Sequence, residues 1–146
     1  MDLDDTPYLA IDLDVLEANL RRTAALARER GLALRPHAKT HKCVEIARRQ
    51  LDSGAVGLTV ATVGEAEVFA DAGCIDLFIA YPVWAVGRRA DRLRALAGRV
   101  ALRVGADSVQ AVEVLAAALR GAPAEVVVEV DSGQHRSGVE PGRAAE

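Results

Sequence analysis

The strongest constraint in this sequence is a repeat of pattern rather than of residues: short apolar runs alternate with stretches of helical periodicity. Tyr8-Leu9-Ala10-Ile11, Leu32-Ala33-Leu34, Leu58-Thr59-Val60, Leu77-Phe78-Ile79-Ala80, Val100-Ala101-Leu102-Arg103-Val104 and Val126-Val127-Val128-Glu129-Val130 read as six strands, spaced about 19 to 26 residues apart. Strands joined by helical crossovers run parallel, so the pattern predicts an α/β protein with a parallel sheet. Two closures satisfy it. One is an open doubly wound sheet, complete within 146 residues. The other is a (β/α)₈ barrel, for which about 250 residues are typical. Length alone favours the open sheet.

The intervening segments carry helix signals. Asp14 suits an N-cap with Glu17 completing a capping box, Leu16, Leu20, Thr23 and Ala27 recur at helical spacing, and Gly31 stops the run. A second helix is expected from His41 to Leu51, with Val44, Ala47 and Leu51 facing inward. Thr62-Val63-Gly64-Glu65 is a further capping box, ahead of Ala66, Phe69 and Ala70. Ala90, Leu93 and Ala97 mark the next helix. Asp107 or Ser108 caps one carrying Val109, Val112, Leu115 and Leu119, and another helix starts after Pro141.

Composition narrows the function classes. A chain near 150 residues buries roughly 68–70% of its unfolded surface, enough for a real core. Aromatic residues are only 3% and the net charge is −3, which argues against a nucleic-acid or anionic-membrane partner. No apolar run approaches the roughly 20 residues of a membrane span, and the acidic Met-Asp-Leu-Asp-Asp start lacks a signal-peptide charge pattern. A soluble cytoplasmic protein is the expectation. Cys43 and Cys74 are expected to be reduced, with Cys74 as small packing filler. His41 and Cys43 together are too few ligands for a zinc site.

Chemistry concentrates in Arg35-Pro36-His37-Ala38-Lys39-Thr40-His41-Lys42, where a strand gives way to a helix. Pro36 fixes its own φ and pushes Arg35 towards extended geometry, ending the strand sharply. By composition this is a solvated basic turn. By position it is where α/β proteins place their reactive groups. A lysine there is expected to be partly desolvated beside other cations, which favours the neutral amine that Schiff-base chemistry needs.

The run Arg-Pro-His-Ala-Lys-Thr-His-Lys resembles the cofactor-lysine segment of the D-threonine aldolase and D-serine dehydratase family, pyridoxal phosphate (PLP) enzymes of the alanine racemase-like barrel class. Asp131-Ser132-Gly133-Gln134-His135-Arg136-Ser137-Gly138-Val139 is similar to the family's loop after the sixth strand. Asp5-Thr6-Pro7, Asp12-Leu13-Asp14, Leu16-Glu17-Ala18-Asn19 and Ala61-Thr62-Val63-Gly64-Glu65-Ala66-Glu67 also resemble it, so the likeness runs along almost the whole chain.

The resemblance reverses the choice of closure. It implies that residues 1–146 are a partial alanine racemase-like barrel domain, about six βα units of eight, truncated before a C-terminal β domain. It implies that Lys39 forms the Schiff base with PLP, that Lys42 is its neighbour on the following helix, and that Arg136 approaches the cofactor's phenolic oxygen. His37 and Tyr81 are further candidates for cofactor contact, and His135 is undecided. The implied activity is a PLP-dependent lyase acting on D-β-hydroxy amino acids, by retro-aldol cleavage or by dehydration. A PLP-binding homeostasis protein or an amino acid racemase of the same barrel class is the alternative. The whole protein is expected to be a homodimer using a divalent metal held outside this chain, with no metal ligand inside it, and residues 1–146 alone are expected to be inactive.

Overall fold

The computed structural model describes residues 7–145. Asp5 and Thr6 of the opening motif lie outside the described residues. The helices are α1 (Leu13–Glu29), α2 (Val44–Asp52), α3 (Val63–Asp71), α4 (Arg88–Ala97) and α5 (Val109–Ala118). The strands are β1 (Leu58–Val60), β2 (Asp76–Ile79), β3 (Ala101–Ala106) and β4 (Ala124–Val128), with 3₁₀ turns at Ala38–Thr40 and Pro141–Arg143. The strands form one parallel sheet in the order β1-β2-β3-β4, in register through Leu58, Leu77, Leu102 and Ala124.

Side chains alternate across each strand, and the register sorts them. Leu58, Val60, Leu77, Ile79, Leu102 and Val104 are buried against Phe69, Leu93, Leu96 and Leu115 of the helical layer. Thr59, Phe78, Arg103, Gly105, Glu125 and Val127 take the opposite face, which a barrel would turn inward. No helix among the described residues is long and apolar enough to cross a membrane.

That opposite face carries a ladder of charge in the N-terminal half of the strands. Arg35 forks onto Asp76, with Nη1 2.9 Å from Oδ1 and Nη2 2.9 Å from Oδ2. Arg103 donates from Nη1 to Asp76 Oδ1 at 2.8 Å and from Nε to Glu125 Oε2 at 2.8 Å. Gly57 makes room for it. A Cβ there would lie against the Arg35 guanidinium and 2.5 Å from the Asp76 carbonyl oxygen.

Several expected boundaries move. Residues 8–11 form no strand, and Tyr8, Leu9 and Ile11 are exposed. Leu32 is exposed too, and the extended pairing falls later. Val56 N donates to Leu34 O, Thr59 N donates to Pro36 O, and His37 bridges Thr59 in parallel. So the ladder has four strands plus this short extended segment, where six strands were expected. Asp12, not Asp14, caps α1: its carboxylate accepts from Asp14 N and Val15 N. Glu17 completes no capping box and pairs with Arg21 and Arg49. The helix expected from His41 begins at Val44, because a tight turn occupies residues 38–42. Ser108 is the cap of α5, and the helix after Pro141 is a 3₁₀ turn. Cys43 and Cys74 are free thiols, and burial pushes the Cys74 thiol up.

Candidate active site on the carboxyl edge of the sheet

All the strands point the same way, so the segments that follow them gather at one edge. His37 ends the extended segment and caps the 3₁₀ turn. Its Nδ1 accepts from Lys39 N at 3.3 Å, which leaves Nε2 to carry the proton of the neutral ring. The ring also hydrogen-bonds to the Thr59 backbone. Burial, and then the charge of Lys39, hold the imidazole below its ordinary range, against the opposing pull of Glu65 and the Thr59 contact. His37 is therefore a neutral, oriented imidazole near neutral pH.

Ala38 is fully buried and anchors the turn, while Lys39 is exposed. The desolvation expected of Lys39 is thus not supplied by residues 7–145. Lys42 does not lie within a helix either. It takes a left-handed conformation, φ +47°, and its N–H closes the turn on Ala38 O at 2.9 Å. Its ammonium lies 3.1 Å from Glu65 Oε1. Among the described residues no carboxylate pairs with Lys39. The two lysines of the motif are chemically distinct: one is tied down and the other is free.

Glu65 is the member of this cluster whose part was hidden in the sequence. Thr62 Oγ1 accepts from Glu65 N at 3.1 Å, as a capping box requires. The reciprocal bond is displaced by one residue, because Glu65 Oε2 accepts from Ala61 N at 2.8 Å. Burial pushes the Glu65 carboxyl up, but the Ala61 N–H, the Lys42 ammonium and the His37 ring outweigh it and hold the group below the usual range. The Thr62-x-x-Glu65 spacing pointed to the residue, though not to its partner.

The loop after β4 is organised around Asp131. Its Oδ1 accepts from Gly133 N at 2.9 Å and His135 N at 3.0 Å, and its Oδ2 lies 2.7 Å from His135 Nδ1. These donors hold its carboxyl down at about 2. Val130 and Val139 bridge at the base, and Ser137 Oγ donates to Glu129 Oε1 at 2.7 Å. Gly138 passes so close that a Cβ would lie 2.5 Å from Asp131 N, and its φ is +101°. The loop exposes Arg136, while His135 is taken up by Asp131. Tyr81, two residues beyond β2, is also exposed. So the structure brings His37 and Lys39 together on one turn. It sets Tyr81 and Arg136 on the same edge, with Arg136 across the width of the sheet, and neither bonds to Lys39.

Two surface hollows lie apart from the Lys39 turn. One is between α1 and α2, lined by Glu17, Arg49 and Asp52; the other is on the carboxyl edge itself, lined by Ala106 at the end of β3, Val128 at the end of β4, Ser108 and Val139; neither includes Lys39. Among the described residues no three His, Cys, Asp or Glu side chains come close enough to hold a metal ion.

A four-stranded parallel sheet with its helices packed on one face, and with Lys39 and an oriented imidazole at its carboxyl edge, is the α/β class of architecture that a barrel is built from. The particular family follows from comparison: the family model described as alanine racemase, N-terminal domain, matches residues 11–146, and the chain belongs to that family. It is 45% identical over 138 residues to a D-threonine aldolase of Arthrobacter sp., covering 92% of this chain and 36% of that protein. It is 40% identical over 137 residues to a D-threo-3-hydroxyaspartate dehydratase of Delftia sp. strain HT23, again covering 92% and 36%. The crystal structure of D-threonine aldolase from Filomicrobium marinum superposes with a TM-score of 0.91 at 44% identity, covering 97% of this chain and 38% of that one. The chain thus spans little more than a third of the length of these relatives.

Proposed function

We propose that this chain is the cofactor-lysine part of a PLP-dependent lyase acting on D-β-hydroxy amino acids, with Lys39 as the attachment point. The observation that carries the reading is the contrast between the two lysines. Lys39 is a primary amine at the end of a strand segment, beside a neutral imidazole and with no carboxylate partner among the described residues, while Lys42 is held by Glu65. The named activities of the two relatives, a D-threonine aldolase and a D-threo-3-hydroxyaspartate dehydratase, support the substrate class.

The residues present fit such a cofactor. An aldehyde needs a free amine, and among the described residues Lys39 has no carboxylate partner. An anionic ring oxygen needs a cation, and Arg136 is exposed on the same edge. When bound, PLP supplies the electron sink for charge released at the substrate's Cα. His37 orients the turn through its bond from Lys39 N and, being neutral, adds no repelling charge beside the amine. We assign Arg136 to the phenolic oxygen and Tyr81 to the rim. The phosphate-binding elements, the divalent-metal ligands and the C-terminal β domain are placed in the part of the relatives' length that this chain does not span. We place the whole protein in the cytoplasm as a homodimer, a compartment that suits the free thiols of Cys43 and Cys74.

The test uses the whole protein, PLP and a divalent metal with D-threonine, D-threo-3-hydroxyaspartate and their L-isomers. Glycine plus aldehyde reports an aldolase, and ammonia plus a 2-oxo acid reports a dehydratase. Turnover of neither D-substrate, or equal turnover of the L-isomers, overturns the proposal.

A further inference from the structure

We propose that Glu65 is the positioning residue that makes Lys39, and not Lys42, the cofactor-bearing amine. This rests on the reading of Lys39 given under Proposed function and adds the device that selects it. Two primary amines three residues apart present an aldehyde with a choice, and nothing in a flexible basic turn would decide it. The Glu65 carboxylate is fixed at both oxygens, Oε2 by Ala61 N at 2.8 Å and Oε1 by Lys42 Nζ at 3.1 Å. Its side chain is only 13% exposed, so the acceptor end of the pair is shielded. Ala61 follows β1 directly, which ties the clamp to the sheet.

Two consequences follow from this geometry. The ion pair commits the Lys42 amine to Glu65, although the Lys42 side chain is itself 66% exposed, whereas among the described residues no carboxylate holds the Lys39 amine. The same bond holds the left-handed Lys42 that closes the turn on Ala38 O, and this fixes where Lys39 leaves the sheet. The charged groups facing His37 are Lys39 from its own turn and Glu65 from α3, with the Thr59 backbone contributed by β1. Removing the Glu65 charge therefore also alters the field at His37.

The experiment compares the whole protein with its Glu65→Gln and Lys42→Met variants. Glu65→Gln keeps an oxygen for the Ala61 N–H but removes the charge, so a loss of fold is separated from a loss of selection by a melting curve. Each protein is incubated with PLP, reduced with borohydride and mapped by peptide mass spectrometry, and the His37 ring protons are titrated by NMR. In the wild type and in Lys42→Met the label falls on Lys39. In Glu65→Gln the share on Lys42 rises severalfold, and the His37 midpoint moves to lower pH because the charge that had opposed its depression is gone. A Glu65→Gln protein with the wild-type ratio of labels overturns the inference, whatever the His37 midpoint does, and leaves Lys39 in place. Absence of label on Lys39 in the wild type overturns the reading on which the inference rests.

Discussion

Replacing Asp76 by Asn should be among the more costly changes on the non-helical face of the sheet. Asp76 takes the fork of Arg35 and a third bond from Arg103. Its side chain is 24% exposed, with Arg35 at 19% and Arg103 at 30%. Asn keeps the shape but turns one acceptor oxygen into a donor facing a guanidinium, and leaves the ladder with one excess positive charge. Removing one partner of a buried ion pair costs roughly 3–5 kcal/mol, whereas an exposed pair contributes about 0–1 kcal/mol. The intermediate burial places Asp76→Asn at about 2 kcal/mol. For a domain of this size that lowers Tm by about 4–8 °C. The control is Glu125→Gln, whose side chain is 67% exposed and makes one bond to Arg103, so its cost should stay below about 1 kcal/mol. Urea unfolding of the three proteins, followed by circular dichroism, measures both. An Asp76→Asn midpoint equal to that of Glu125→Gln would refute the claim that burial gives this ladder its strength.

Three further outcomes follow from the edge of the sheet. The Asp131 carboxyl titrates at about 2 in the fold against 3.8 ordinarily; a depressed carboxyl contributes order above the unfolded value and loses it as pH falls through the folded one, so the Gly133 and His135 amide resonances should hold steady down to about pH 4 and move with a midpoint near 2, and a midpoint near 4 would contradict the contacts. The His37 ring titrates below its ordinary 6.5, so the unfolded chain takes up the proton first, stability declines as pH drops below about 6.5, and Lys39→Met should raise the His37 midpoint; an unchanged midpoint in a pH-dependent NMR series would deny the proximity. In the whole protein Arg136→Ala should weaken PLP binding in an absorbance titration while Arg120→Ala does not, and matching curves would remove Arg136 from the site.

Much of this was legible in the sequence, for reasons that particular residues make plain. The later units carry strong periodicity and their own punctuation. Thr62 and Ser108 cap α3 and α5 as their residue types predict, and the apolar runs at Leu58, Leu77 and Leu102 fall in register in the sheet. The first units were misread because an apolar run specifies a strand only if a neighbour pairs with it. Residues 8–11 have the composition of a strand and no ladder partner among the described residues, and the pairing of the next segment moved from 32–34 to 34–37, past Pro36. At the candidate site, the motif that carries Lys39 was visible in the sequence. The clamp on Lys42 was not, because a left-handed non-glycine residue and an acceptor on Ala61 leave no periodic trace. The expected desolvation of Lys39 failed for a similar reason: a position at a strand end gives direction, but burial depends on what else closes over the edge.

The central claim is that Lys39 carries the cofactor. The most direct measurement is borohydride reduction of the whole protein treated with PLP, followed by peptide mapping, with Lys39→Ala alongside. The account predicts one phosphopyridoxyl group on Lys39 and its loss in Lys39→Ala. A label on Lys42 with Lys39 unmodified in the wild type, or equal labelling of the wild type and Lys39→Ala, would contradict it.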